Sequence, residues 1–324
     1  MISICSTIHG SPKACEAFIR SIYDNATGED FEVRLVLDRS STEETALLED
    51  LATSKYPRLY TAKLSKEDRI KGILGLMGFW NAVYGEEIAL YAEKQLLRYE
   101  RGEIDPWMQY ALGLNIAAYR AKGDMILLTP ADFVVLCDVH ALGKVCSEHA
   151  ASHNGRFFGN FGVVAPLVRQ GARFEDCYTQ HRMATGYSVV LEHLLRNHLM
   201  SDDYPVTPGI DRYWPFNHGV RVVDRQTFID VGGLQAGFLT KTGPTDIFNH
   251  MARATVYGTD QCRVKKSIQM QTGFRARMAS VPFDDGPPIE YLYPNHCDER
   301  VVRKMRITEN KWLRDHEPEW KEIF

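Results

Sequence analysis

The chain begins with an alternation that few folds can accommodate. "ISICSTI" (2–8) is a short, largely β-branched apolar run, and "SPKACEAFIRSIYDNA" follows it with Ala14, Phe18 and Ile22 at helical spacing behind Ser11 and Pro12. "FEVRLVLD" is a second strand-like run. "SSTEETALLEDLATSKY" is a second helical stretch, with Ser41 or Thr42 as its N-cap and acids in the first turn, where the helix dipole favours them. This alternation predicts an α/β fold with a mostly parallel central sheet and right-handed crossovers. A further strand lies in "RAKGDMILLTPADFVV" (120–135), where Gly123 and Asp124 lead into Met125-Ile126-Leu127-Leu128. So apolar a run suits burial on both faces, and Pro130, which has no N–H, ends it. In open sheets of this class ligands bind outside the carboxyl ends of the strands, which is where Asp132 stands. Position alone leaves two roles open for Asp132: ligand binding, or a turn closed by its own side chain.

Residues Ser65 to Gln109 read as a helical excursion covering one side of the sheet, strongest from Gly85 to Arg101. "YALGLNIAAYRAKGD" predicts a helix ending at Gly123, and "GRFFGNFGVVAPLV" predicts a strand pair. The expected organisation is one domain over residues 1–260, with the helical insertion at about 65–109, and a C-terminal extension over 261–324 packing on it. That extension opens with a loop rich in Pro, Asp and Gly and ends in a short helix carrying Trp312, Trp320 and Phe324.

Several function classes are excluded. The turn after the first strand, "STIHGSPKA", holds only Gly10, which argues against a glycine-rich phosphate loop and against a dinucleotide-binding G-x-G-x-x-G. With 38 basic and 42 acidic residues, net charge −4, the chain has no electrostatic footprint for nucleic acid. Its seven cysteines form no C-x-x-C pair, as expected of free thiols in a reducing compartment. The N-terminus has no signal-peptide pattern and no run approaches ~20 apolar residues, so the expectation is a cytoplasmic chain without a transmembrane segment. The terminal Trp312, Trp320 and Phe324, beside Lys311, Arg314 and Lys321, leave open a peripheral contact with the inner face of a membrane.

Four stretches, in order, resemble motifs of the GT-A fold inverting glycosyltransferases, family 2-like. "LVLDRSSTEET" (Leu35 to Thr45) is similar to the family's V-V-D-D-G-S-T-D-x-T. "LNIAAYRAKGDMILLTPAD" (Leu114 to Asp132) resembles the stretch ending in its D-x-D metal motif. "FNHGVRVVDRQTFIDVGGLQAGF" resembles its acceptor-side segment, and "GPTDIFNHMARA" its G-x-E-D-x-D-L-x-x-R. The chain departs from the family at three points: Pro130-Ala131-Asp132 lacks the first carboxylate of D-x-D, Arg39 replaces the second Asp of the early motif, and Thr245 replaces the Glu of E-D.

The resemblance implies a GT-A domain, Rossmann-like with a mostly parallel central sheet flanked by helices. It implies inverting transfer of a hexosyl or related group from a nucleotide-diphosphate sugar to an acceptor hydroxyl, in a setting such as polysaccharide biosynthesis. The donor would meet Thr7, Asp38 and Asp132. Asp38 would accept from a base N–H or ribose hydroxyl, although a carboxylate there can also cap the next helix. Mg²⁺ or Mn²⁺, held by Asp132 and His296, would neutralise the leaving diphosphate, and Asp246 would be the general base, with Asp211 and Asp224 next in line. Trp107, Tyr213 and Trp214 are candidates to stack on sugars or to fill core, while His218 and Asn217 could meet a sugar hydroxyl. The acceptor is a glycan, a lipid-linked sugar or a small molecule, and a homo-oligomer is compatible with all of this. The missing carboxylate keeps an alternative open: a catalytically silent protein that binds sugar nucleotides or glycans on a transferase fold.

Overall fold

Burial on both faces explains why the first strands are apolar without alternation. The computed structural model describes residues 1–8, 12–38, 42–64, 86–103, 110–131, 133–164, 220–234, 243–258, 268–274 and 276–280. In chain order the elements are β1 (Ile2–Ile8), α1 (Pro12–Asn25), β2 (Phe31–Leu37), α2 (Thr42–Asp50), β3 (Leu59–Lys63), α3 (Glu86–Glu100), α4 (Tyr110–Tyr119) and β4 (Met125–Leu128). There follow β5 (Phe133–Val135), α5 (Val139–Ala151), β6 (Phe158–Asn160), β7 (Gly162–Val164), β8 (Arg221–Asp224), α6 (Arg225–Val231), α7 (Gly243–Tyr257), α8 (Ile268–Thr272) and β9 (Arg277–Ser280). A π-helical turn, Leu51–Lys55, continues α2.

The main sheet has the order β3-β2-β1-β4-β8-β6. Five of its six strands run one way, and only β8 runs against them, pairing antiparallel with β4 and β6. A second sheet has the order β5-β9-β7. Every residue of β1 and β4 is buried. On one face Ile2, Ile4 and Ile8 meet Phe18, Ile19 and Ile22 of α1 and Leu142 and Cys146 of α5. On the other, Cys5, Ile126 and Leu128 meet Leu112 and Leu114 of α4, Phe228 of α6 and Phe248 of α7. The expected class, a mostly parallel sheet flanked by helices, is the one observed. Burial pushes the thiols of Cys5 and Cys146 well above the usual cysteine range, so neither is a nucleophile.

The sheet order locates a crevice. From β1 the chain steps outward to β2 and β3, then crosses back to lay β4 on the far side of β1. The helices change face with it, α1 on one side and α4 on the other. The order therefore reverses between β1 and β4, and ligands of open α/β sheets bind at the carboxyl edge of that reversal.

Two expectations differ from the structure. The helix expected to reach Gly123 stops at Tyr119: Arg120 and Ala121 N–H still bond back to Ile116 O and Ala118 O, but Lys122 N–H donates to Glu32 Oε1 at 2.6 Å and Gly123 N–H to Ser3 Oγ at 2.8 Å, so the helical ladder goes no further. The expected strand pair in "GRFFGNFGVV" is two strands in different sheets, β6 beside β8 and β7 beside β9. Only the buried Phe161 separates them, and one residue is too short to reverse the chain into a hairpin.

Glu32 is the hub of this amino edge and is 2 % exposed. It accepts from Ser3 Oγ at 2.7 Å, Arg34 Nη2 at 2.9 Å and the Lys122 amide. Burial alone would raise its carboxyl, but these donors outweigh burial, and its pKa lies below the usual value. A depressed carboxyl adds stability that is present above the unfolded-state pKa, about 4.3, and is lost as pH falls through the folded one. Acid melting curves should therefore show wild type losing its margin over Glu32→Gln as pH drops below about 4.3. A margin unchanged from pH 7 downward would make Glu32 electrostatically idle.

Candidate functional site

At the carboxyl edge of the reversal, β1 contributes Thr7 and Ile8, and Asp38 follows directly on β2. Thr7 is 4 % exposed and packs so closely on α4 that a Cβ at Gly113 would stand 2.7 Å from its Cγ2. Asp38 is fully buried, and its N–H donates to Ile8 O at 2.9 Å, which fixes it one step beyond the last β1–β2 pair. Helix α2 starts at Thr42, four residues on, so Asp38 is not its N-cap residue. β4 leaves the sheet at Thr129, whose N–H donates to Cys5 O at 3.2 Å, and Pro130 and Ala131 follow.

The antiparallel β8 begins at this same edge with Arg221, in register with Leu128 and Asn160. Arg221 is fully buried, donates to Asn249 Oδ1 at 3.4 Å, and lies over the Phe248 ring at 5.3 Å. At its other end α7 reaches the start of β6, where the Tyr257 hydroxyl donates to Phe158 O. Burial pushes the pKa of that hydroxyl up to about 12. Helix α7 thus runs from the carboxyl edge to the amino edge of the sheet, and its N-terminal, partially positive end belongs to the crevice side. The sequence reading passed over Arg221 and Asn249; a lone arginine opening a valine strand was the available signal.

Asn115 ties two of the family-like stretches together. Its Nδ2 donates to Leu234 O at 2.6 Å and its Oδ1 accepts from Leu234 N at 2.8 Å, all fully buried. The chain reaches Leu234 through Gly232 and Gly233, both left-handed (φ 84° and 71°), and a Cβ at Gly233 would stand 2.8 Å from Asn115 Oδ1. The two glycines after Val231 are therefore a steric requirement of this clamp. Asn115→Ala strands two buried backbone groups, each costing about 1–3 kcal/mol. Denaturant unfolding should show a loss of about 2–4 kcal/mol. A loss under about 0.5 kcal/mol would mean that water replaces the clamp.

Among the other candidates, Asp132, His296, Asp211, Trp107, Tyr213, Trp214, Asn217 and His218 lie outside the described residues. Asp246 is the fourth residue of α7, inside the first turn rather than at the cap, and its side chain also lies outside the described part. Asp224 has another role. It pairs with Met125 at the amino edge, far from the crevice end, and its Oδ1 and Oδ2 accept from Thr227 N and Phe157 N, both at 2.8 Å. It is the N-cap of α6, so it is no reserve base. Among the described residues no three His, Cys, Asp or Glu side chains converge to hold a metal, and no helix is long and apolar enough to cross a membrane.

No protein-family model and no curated protein matches the chain in sequence. Solved structures similar to it include S. aureus TarS 1–349 in complex with UDP, at 12% identity and TM-score 0.47 over 95% of this chain and 64% of that one. Glucosyl-3-phosphoglycerate synthase from Mycobacterium tuberculosis, in complex with Mn²⁺ and UDP-glucose, is similar at 11% identity and TM-score 0.39, covering 97% of this chain and 78% of that one. The galactosyltransferase LgtC, with donor and acceptor sugar analogs, is similar at 9% identity and TM-score 0.36, covering 97% and 99%. The chain spans 39% of the length of a longer TarS structure.

Proposed function

We propose that the chain is a glycosyltransferase, moving a sugar from a nucleotide-diphosphate sugar to an acceptor hydroxyl with inversion. One observation carries this reading. The stretches that resemble the family's motifs come from distant parts of the sequence, yet they meet at one sheet edge, where the strand order reverses. Asp38 follows β2, residues 129–131 leave β4, and α7 starts from that edge.

In this reading Asp38 accepts hydrogen bonds from the nucleotide's base or ribose, and Thr7 lines the same floor. Asp132 and His296 are the residues that would hold Mg²⁺ or Mn²⁺, which when bound neutralises charge on the leaving diphosphate. Asp246, in the first turn of α7, takes the proton of the acceptor hydroxyl. The acceptor oxygen bonds to the anomeric carbon as the bond to the diphosphate breaks on the opposite face, which inverts the configuration. The absent first carboxylate, Pro130 in its place, favours a second reading, a sugar-nucleotide binder without turnover. Calorimetric titration with nucleotide sugars, followed by assay for released nucleoside diphosphate, separates them: the transferase binds and releases, the silent protein binds only.

A further inference from the structure

A cavity of about 260 Å³ opens at the amino edge of the sheet, the edge opposite the crevice. Tyr23, Ala26, Phe31 and Pro57 supply apolar wall, and Glu29 and Arg58 rim it. Both walls are locked. Thr27 N–H donates to Asp138 Oδ1 at 3.2 Å and its hydroxyl to Oδ2, while the His140 ring packs beneath Gly28, 2.8 Å from where a Cβ would stand. Across the gap the Tyr23 hydroxyl donates to Pro57 O at 2.7 Å, and Val33 N–H donates to Arg58 O at 3.0 Å. With its walls held, the cavity is preformed.

Arg58 is the unusual member. Its φ of 59° is left-handed, a conformation that glycine or asparagine adopts at lower cost. Its guanidinium donates to the backbone oxygen of Glu29, and both residues line the cavity. Among the described residues neither Arg58 nor Glu29 joins an ion pair, and both are exposed. The neighbouring acid, Asp30, is taken by the N-terminal ammonium at 3.1 Å. A preformed apolar chamber with one cation and one anion at its mouth complements a zwitterion on an apolar body.

We propose that this cavity binds a free α-amino acid with an apolar side chain, its carboxylate on Arg58, its ammonium on Glu29 and its side chain against Tyr23, Phe31 and Pro57. The size agrees: a cavity of about 150 Å³ holds benzene, so about 260 Å³ holds a benzyl or isobutyl group with part of the head. The site stands apart from the crevice and does not depend on glycosyl transfer.

Calorimetry on the full chain tests it with L-phenylalanine and L-leucine as probes. One-to-one binding is expected. 3-Phenylpropionate, which lacks the ammonium, and 2-phenylethylamine, which lacks the carboxylate, should each bind about tenfold or more weakly, as loss of a charge-assisted contact implies. Arg58→Gly should lose about tenfold in affinity or more with no fall in Tm, since glycine accepts the left-handed backbone. The exposed Glu29→Gln should lose a similar factor. No binding of either amino acid at millimolar concentration, equal binding of 3-phenylpropionate, or undiminished affinity in Arg58→Gly would each overturn the proposal.

Discussion

Asparagine in place of Asp246 is expected to lower kcat by about 10²–10⁴-fold, the usual cost of losing a general base, while donor affinity stays within about twofold. The change is nearly isosteric, so Tm should hold. A carboxylate with a reference pKa of about 3.9 is ionised at neutral pH but weakly basic, so it takes the proton late, as the hydroxyl attacks. The crevice-side end of α7 favours the ionised form, because negative charge near a helix N-terminus is stabilised. Steady-state kinetics with a donor-binding titration separates the outcomes. Full transfer by Asp246→Asn would move the base elsewhere. A loss confined to donor binding would make Asp246 a donor contact.

A second large effect is expected at Asp132. Asp132→Asn exchanges one anionic oxygen for an amide at nearly constant volume, so Tm should hold. Divalent-dependent nucleotide binding and turnover should fall together, turnover by about 100-fold or more, since a bound metal is worth several kcal/mol of charge stabilisation. The contrast with Asp246→Asn is diagnostic: one variant loses kcat alone, the other loses binding and kcat. Unchanged binding and rate would leave Asp132 as a turn residue.

Much of the frame was legible because it rests on local chemistry. β1, β2 and β4 are apolar runs closed by Gly, Asp or Pro, and the first two helices show their apolar spacing and N-terminal signals. What escaped the reading depends on partners distant in sequence. Helix α4 does not reach Gly123 because Glu32 and Ser3, nearly a hundred residues away or more, capture the amides of Lys122 and Gly123. Phe158 and Val163 fall in the run read as a strand pair, yet their partners, β8 and β9, lie downstream. Asp224 stood as a reserve base in the sequence, and only the amides of Phe157 and Thr227 reveal it as a cap. The clamp from Asn115 to Leu234 joins residues 119 apart and has no local signature beyond the paired glycines. The place of Asp38 directly after β2 was legible from its position behind an apolar run, whereas the places of Arg221 and Asn249 needed the register of β8 and the direction of α7.

The central claim is that the carboxyl edge between β1 and β4 binds a nucleotide sugar and turns it over. The direct measurement is release of nucleoside diphosphate by the full chain from a panel of UDP-, GDP- and dTDP-sugars with Mg²⁺ or Mn²⁺, with Asp38→Asn as control. At least one donor should show protein-dependent release, weakened when Asp38 can no longer accept with full charge. Binding of a donor without release, or neither binding nor release for any donor, would contradict the account.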